Sequence, residues 1–194
     1  MQPLTINDLV PFNIYAESYK QARQHIIAVK APRRVAVGES ISFLFENRQT
    51  LLYQVQEMLR VEHITDPRKI QDELDTYNEL LPGPKELSAT MFIQITNQAN
   101  VKNQLDLLMG IDEKNVAVLQ LGPLVVSGLF EQGHSNEDKI SAVHFVRFQI
   151  TDEALEILKD PQYAATLSIN HPHYKATAAL QNETRDALLN DLST

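Results

Sequence analysis

The chain has 194 residues, 43% of them hydrophobic and 22% charged, with a formal net charge of −8, which suits one globular domain and argues against large-scale disorder. The negative charge disfavours broad attraction to nucleic acid or anionic membranes. The absence of cysteine excludes disulfides, thiol nucleophiles, thiolate-ligated iron–sulfur clusters and Cys-zinc sites, so a bound metal would need His, Asp or Glu ligands.

Residues 1–12 read as an arm ahead of a single domain spanning 13–194. The opening MQPLTINDLV has neither a basic lead nor a long apolar run, and no segment reaches about 18 apolar residues, so a cytoplasmic protein is expected. Tyr15, Tyr19, Ala22, Ile26 and Val29 share one face of a helix over 13–30, which Pro32 stops. Lys20, Arg23, Lys30, Arg33 and Arg34 form a basic patch, read as a solvated face. Val35–Val37, Gly38 and Ile41–Phe45 predict a β-hairpin.

Glu46, Asn47 and Arg48 then stand where strand meets helix. Asn47 is a good N-cap. The helix it opens buries Leu51, Leu52, Val55, Met58 and Leu59, with Arg48 at the edge of that stripe. Tyr53, Gln56, Glu57 and Arg60 fall on the opposite, solvent side. Asp66-Pro67 starts a third helix that ends at the Leu81–Pro84 loop. ELSATMFIQIT, from Glu86, reads as a strand, and 100–110 as a short helix closed by Gly110.

A β-meander follows: Val116–Leu121, a turn at Gly122-Pro123, Leu124–Glu131, the loop QGHSNEDK, and Ser141–Ile150. Thr151 or Asp152 caps a short helix that stops before Pro161. Tyr163–Ile169 is a further strand. His171-Pro172-His173 is expected to open a last helix running to about Leu192. Several connections are too short for parallel crossovers. The expected fold is therefore α+β: a mostly antiparallel sheet of five to seven strands, with helices packed mainly on one face.

No phosphate-cradling glycine loop, nucleophile elbow, His-Glu-x-x-His or dinucleotide fingerprint occurs. The candidates are constellations. Glu46 and Arg48, with Gln56, Glu57, Arg60 and Glu86, offer carboxylates and guanidinium forks to a ligand or partner, or else close the rim of the core. In SAVHFVRF, alternation sets His144 and Arg147 on opposite faces of one strand, so a polar group lies among apolar ones and needs a partner. His171 and His173 flank a proline, and His134, Glu137 and Asp138 occupy a loop tip. His144, His171 and His173 with a carboxylate from Glu46, Glu57, Glu62 or Glu131 would make a set able to hold iron or zinc. Arg48, Arg60 and Arg147 would suit a small anion.

The blocks RRVAVGESISFLFENRQTLLYQVQEMLR, DELDTYNELLPGPKELSATMFIQI, SAVHFVRF and NHPHY, spread over about 33–175, resemble an uncharacterised bacterial family, domain-of-unknown-function family 3501. The resemblance implies no activity and no residue roles. It implies a redox or oxidative-stress setting, with a rubrerythrin-like or iron–sulfur oxidoreductase protein as partner. Three functions stay open: a non-catalytic binding or accessory protein, a His/carboxylate metal-dependent enzyme or carrier, and a small-anion binding module. Whether the chain is an enzyme, and its oligomeric state, stay open with them.

Overall fold

The computed structural model describes residues 1–95, 101–131 and 140–193. The fold is α+β, with every strand pairing antiparallel. In chain order come helix α1 (Phe12–Lys30), strands β1 (Arg34–Val37) and β2 (Ile41–Glu46), helices α2 (Arg48–Val61) and α3 (Pro67–Asn78), and strand β3 (Glu86–Ile93). Then follow α4 (Val101–Asp106), β4 (Ala117–Leu121), β5 (Leu124–Ser127), β6 (Leu129–Phe130) and β7 (Val143–Gln149). The chain closes with α5 (Asp152–Lys159), β8 (Ala165–His171), β9 (Tyr174–Ala179) and α6 (Asn182–Leu192).

The strands divide between two sheets, one of five in the order β1-β2-β3-β7-β6 and one of four in the order β5-β4-β8-β9. Their facing sides make the main core. Phe43, Phe45, Met91, Val146 and Phe148 come from the first sheet, and Leu119, Leu121, Leu167 and Ile169 from the second. Ala154 and Leu158 of α5 and Leu188 of α6 join that core. The other face of the five-stranded sheet is covered too. Leu51, Val55 and Leu59 of α2, Leu74 of α3 and Leu4 of the N-terminal segment form a second core there, with Phe145 packed against it. Strand β2 is thus buried at all six positions, as expected of a strand covered on both sides.

Local chemistry places the helix starts. Asn47 Oδ1 accepts from the Thr50 amide at 3.0 Å, and the Asn47 amide returns a bond to Thr50 Oγ1 at 2.9 Å. Asp66 Oδ1 caps α3 and Thr151 Oγ1 caps α5, each satisfying amides that have no partner inside the helix.

Two connections differ from the sequence expectation. His171-Pro172-His173 does not open a helix. It turns the β8–β9 hairpin, in which His171 pairs with Tyr174. The alanines of 176–179 favour a helix in isolation, but Tyr174, Ala176 and Ala178 pack against the inter-sheet core, and that tertiary contact decides. The run Leu124–Glu131 is not one strand either. It pairs with β4 up to Ser127, bends at Gly128, and pairs with β7 from Leu129. A β-carbon on Gly128 would lie 2.7 Å from Val146 Cγ2 and 3.1 Å from the Ala117 carbonyl, so only glycine lets the chain cross between the sheets there.

A second seam lies at the far edge. Gly38, at φ +76°, turns the β1–β2 hairpin. The Tyr174 hydroxyl donates to the Val37 carbonyl at 2.7 Å and accepts from the Ser40 amide at 3.2 Å, holding β9 against that hairpin. No helix among the described residues is long and apolar enough to cross a membrane.

Candidate functional site

Glu46, Asn47 and Arg48 are neighbours in sequence with separate duties. Glu46 ends β2 beneath α2 and is buried. Its Oε2 accepts from Thr50 Oγ1 at 2.5 Å; its Oε1 accepts from Thr90 Oγ1 at 2.7 Å and Gln54 Nε2 at 3.2 Å. A buried carboxylate needs such donors. Asn47, besides capping α2, donates from Nδ2 to Asp191 Oδ1 at 3.0 Å. Asp191 also holds Arg33 through two bonds, of 3.0 and 2.8 Å, so Arg33 is buried rather than part of a solvated basic face. Arg48 reaches back to the N-terminal segment, pairing with Asp8 at 2.7 Å and donating to the Gln2 carbonyl at 3.2 Å. The Arg48 guanidinium holds the Asp8 carboxyl at about 2, below its ordinary 3.8.

The face of α2 expected to meet solvent is instead covered by α1 and residues 8–11. Gln56 is buried. Its Oε1 accepts from the Val10 amide at 2.9 Å and its Nε2 donates to the Val10 carbonyl at 3.1 Å, the two-bond pattern of a strand partner. Next to it Tyr15 donates to Glu57 Oε1 at 2.8 Å. Arg60 forks onto both Glu57 oxygens at 3.0 and 2.9 Å and lies over the Tyr19 ring, 4.4 Å from its centre. The Arg60 hydrogen bonds lower the Glu57 pKa. Burial, aided by that carboxylate, raises the Tyr15 phenol. Lys30 lies 5.5 Å from the Tyr53 ring centre, and burial lowers its ammonium pKa against the pull of Glu46.

Between α1 and α2 this packing leaves a groove of ≈ 290 Å³, with Ile26 and Leu52 among its apolar walls and Tyr53, His25 and Gln49 as polar groups. A neighbouring cavity of ≈ 280 Å³, walled by Ile6, Leu9, Leu59 and Ile70, adjoins it. Val10 and Gln56 line both, so the segment that Gln56 clamps stands between them. Of the groove residues, Tyr15 and Ile26 are legible in the sequence as the apolar stripe of α1 and Leu52 as that of α2. His25 and Tyr53 carry no such signal, because only the crossing of the two helices brings them to one opening.

The remaining candidates lie elsewhere. Arg147 binds Glu86, Glu131 and the carbonyls of Glu79 and Leu81, tying the α3–β3 loop to β7. His144 is fully buried on the inter-sheet face, with Nε2 2.8 Å from the Ser141 carbonyl and Nδ1 3.7 Å from Asp112. His171 accepts from the His173 amide at Nδ1, 3.2 Å, so its Nε2 carries the proton shared with the Met109 carbonyl at 2.9 Å. Both of its ring nitrogens are engaged, and ligation of a metal through either requires breaking one of these bonds. His171 thus holds the turn that follows α4 at Met109, and Asp112 of the same turn lies near His144. Among the described residues no three His, Asp or Glu side chains meet in an arrangement able to hold a metal ion. His134, Glu137 and Asp138 lie outside the described residues. Glu46, the Glu57–Arg60 pair and the Glu86–Arg147 pair belong to separate networks.

A family model described as Protein of unknown function (DUF3501) matches residues 3–192. The chain is similar to a crystal structure described as a novel protein of unknown function from Burkholderia pseudomallei K96243. The two are 32% identical with a TM-score of 0.90, over 98% of this chain and 100% of that one. No curated protein matches. The resemblance carried by the four sequence blocks therefore holds over nearly the whole chain.

Proposed function

We propose, from the premise that the chain belongs to the DUF3501 family, that it is a non-catalytic binding protein holding a small apolar or amphipathic molecule in the groove between α1 and α2. The observation that carries this reading is the groove itself, with its volume of ≈ 290 Å³ and its apolar walls. Its size is near the lower end for small-molecule sites, roughly 300 Å³, and such sites combine apolar walls with a few placed polar groups. His25 and Gln49 at this groove offer hydrogen bonds to one polar end of a ligand. By contrast, the charged side chains that looked most chemical in the sequence are engaged inside the protein. Arg48 holds Asp8, Arg60 holds Glu57 and Arg147 holds Glu86, which weighs against a site for a free anion.

The test is a thermal-shift panel of fatty alcohols, aromatic alcohols and amines, phosphates and short-chain carboxylates, run on the full chain and on Leu52→Trp. A ligand at a hundred times its dissociation constant adds about 2.7 kcal/mol of stability. The expected result is a shift with amphipathic alcohols or amines, and none with phosphates or short-chain carboxylates, that Leu52→Trp, which fills the groove, abolishes. A flat panel, or a shift that survives the tryptophan, removes the proposal. Mass spectrometry of material co-purified from the native host would identify the ligand and any rubrerythrin-like or iron–sulfur oxidoreductase partner. A stoichiometric iron or zinc ion retained by untagged protein would replace this reading with the metal-dependent one.

A further inference from the structure

The bend at Gly128 leaves an unzipped ladder. Leu129 pairs with Arg147 and Phe130 with Val146, so the same register continued backwards would set Ser127 opposite Gln149 and Val125 opposite Thr151. These pairs do not form, because β5 has crossed to the four-stranded sheet. The alternation of hydrogen-bonding directions along each strand says where the freed main-chain groups point. Gly128 donates to the Ala117 carbonyl, so Leu124 and Val126 face β4, while Val125 and Ser127 face away from it. On the other bank, Ile150 donates to the Lys85 carbonyl and Phe145 accepts from Glu131, so Gln149 turns its amide and carbonyl away from β3. A cleft of ≈ 370 Å³ lies between these two edges. Among the described residues no hydrogen bond closes it.

We infer that this cleft is a strand-addition site, and that its occupant is an extended peptide of a partner protein, rich in β-branched residues and carrying a basic residue at one end. A single inserted strand would find unpaired main-chain groups on both sides, at Val125 and Ser127 and at Gln149, as in other β-augmentation sites. A second copy of this chain fits less well, because its own β5 already carries β4 on its other edge. Side-chain chemistry sets the sequence preference. Val125 is 61% exposed beside the cleft. No charged residue occurs from Val116 to Phe130, so this bank favours an apolar strand. Among the described residues the charged side chain lining the cleft is Glu153 at the start of α5, and it calls for Lys or Arg. This site is distinct from the groove between α1 and α2 and does not depend on it.

The experiment pans a displayed library of random octapeptides on the full chain, then measures the recovered peptides by calorimetry and amide hydrogen exchange. Recovered peptides are expected to alternate β-branched residues, to carry Lys or Arg, and to slow exchange at Val125, Ser127 and Gln149. Val125→Pro deletes one outward donor and leaves the β4 ladder intact, since edge strands tolerate proline where the amide faces outward. It is expected to weaken binding about tenfold, the worth of one interstrand hydrogen bond. Glu153→Lys, a surface change on a capped helix, is expected to turn the preference from basic to acidic peptides. A panning that returns no peptide protecting these amides overturns the inference. So does binding indifferent to both variants, or a concentration-dependent dimer that Val125→Pro dissolves.

Discussion

The two sheets share one core yet treat polar residues in opposite ways. On the helix-covered face of the five-stranded sheet, Glu46, Thr90 and Thr50 are buried and bonded to one another. On the outer face of the four-stranded sheet, Gln120, Asn170, Lys175 and Thr177 are exposed. The same kinds of side chain are structural glue in one place and ordinary solvated surface in the other. What differs is whether a helix lies over them. A polar group that loses water must regain its hydrogen bonds from protein, whereas one left in water loses little when it is removed.

That contrast can be broken most severely at the shared core. Phe43→Ala, at a fully buried position, is expected to cost about 3–5 kcal/mol in chemical denaturation. A loss below about 1 kcal/mol would mean that the inter-sheet packing is not what holds the two sheets together. Next comes the covered polar face. Glu46→Ala should cost about 2–3 kcal/mol, because it strands the Thr50, Thr90 and Gln54 donors, while Gln120→Ala on the bare face should stay within about 0.5 kcal/mol. Equal effects would erase the distinction between the covered and the bare face.

A smaller effect sharpens the same point. Gln56→Ala removes both bonds to Val10 and should cost about 1–2 kcal/mol. It should also speed hydrogen exchange at the Val10 amide while leaving α3 protected. If the Val10 amide exchanges unchanged, Gln56 is not the clamp on residues 8–11. The smallest effect is a matter of pH. The Asp8 carboxyl titrates lower in the folded chain, about 2 against an ordinary 3.8. The unfolded state therefore takes up the proton first. The contribution of the Arg48 pair is present above pH 3.8 and fades as pH falls towards 2. Carboxyl NMR titration of Arg48→Ala should move Asp8 up towards its ordinary range, only part of the way because the Thr5 amide and hydroxyl still donate to the carboxylate, and an unmoved titration would show that Arg48 is not the main cause.

Much of the fold is legible in the sequence. Asn47, Asp66 and Thr151 announce their helices because a cap is a contact between residues two or three apart. Ile41, Phe43 and Phe45 announce a strand because alternation is local. The family could be recognised from blocks in the sequence for a related reason: their order and spacing are themselves a local record. The site was less legible. Arg48, Gln56 and Arg147 stood out for their chemistry, but the sequence could not say that their partners are Asp8, Val10 and Glu86. The groove is lined by His25, Leu52 and Tyr53, which stand on two different helices.

The sequence by itself determined the α+β class, the antiparallel habit, many element boundaries and the caps of α2, α3 and α5. All of these follow from interactions within about one turn of helix or along one strand. Only the tertiary structure decided that Gln56 is buried, that His171 and His173 turn a hairpin, and that Gly128 carries one strand from sheet to sheet. Each depends on which distant segment comes to lie against it. The free energy of covering a side chain belongs to the element that does the covering, and no local pattern records it.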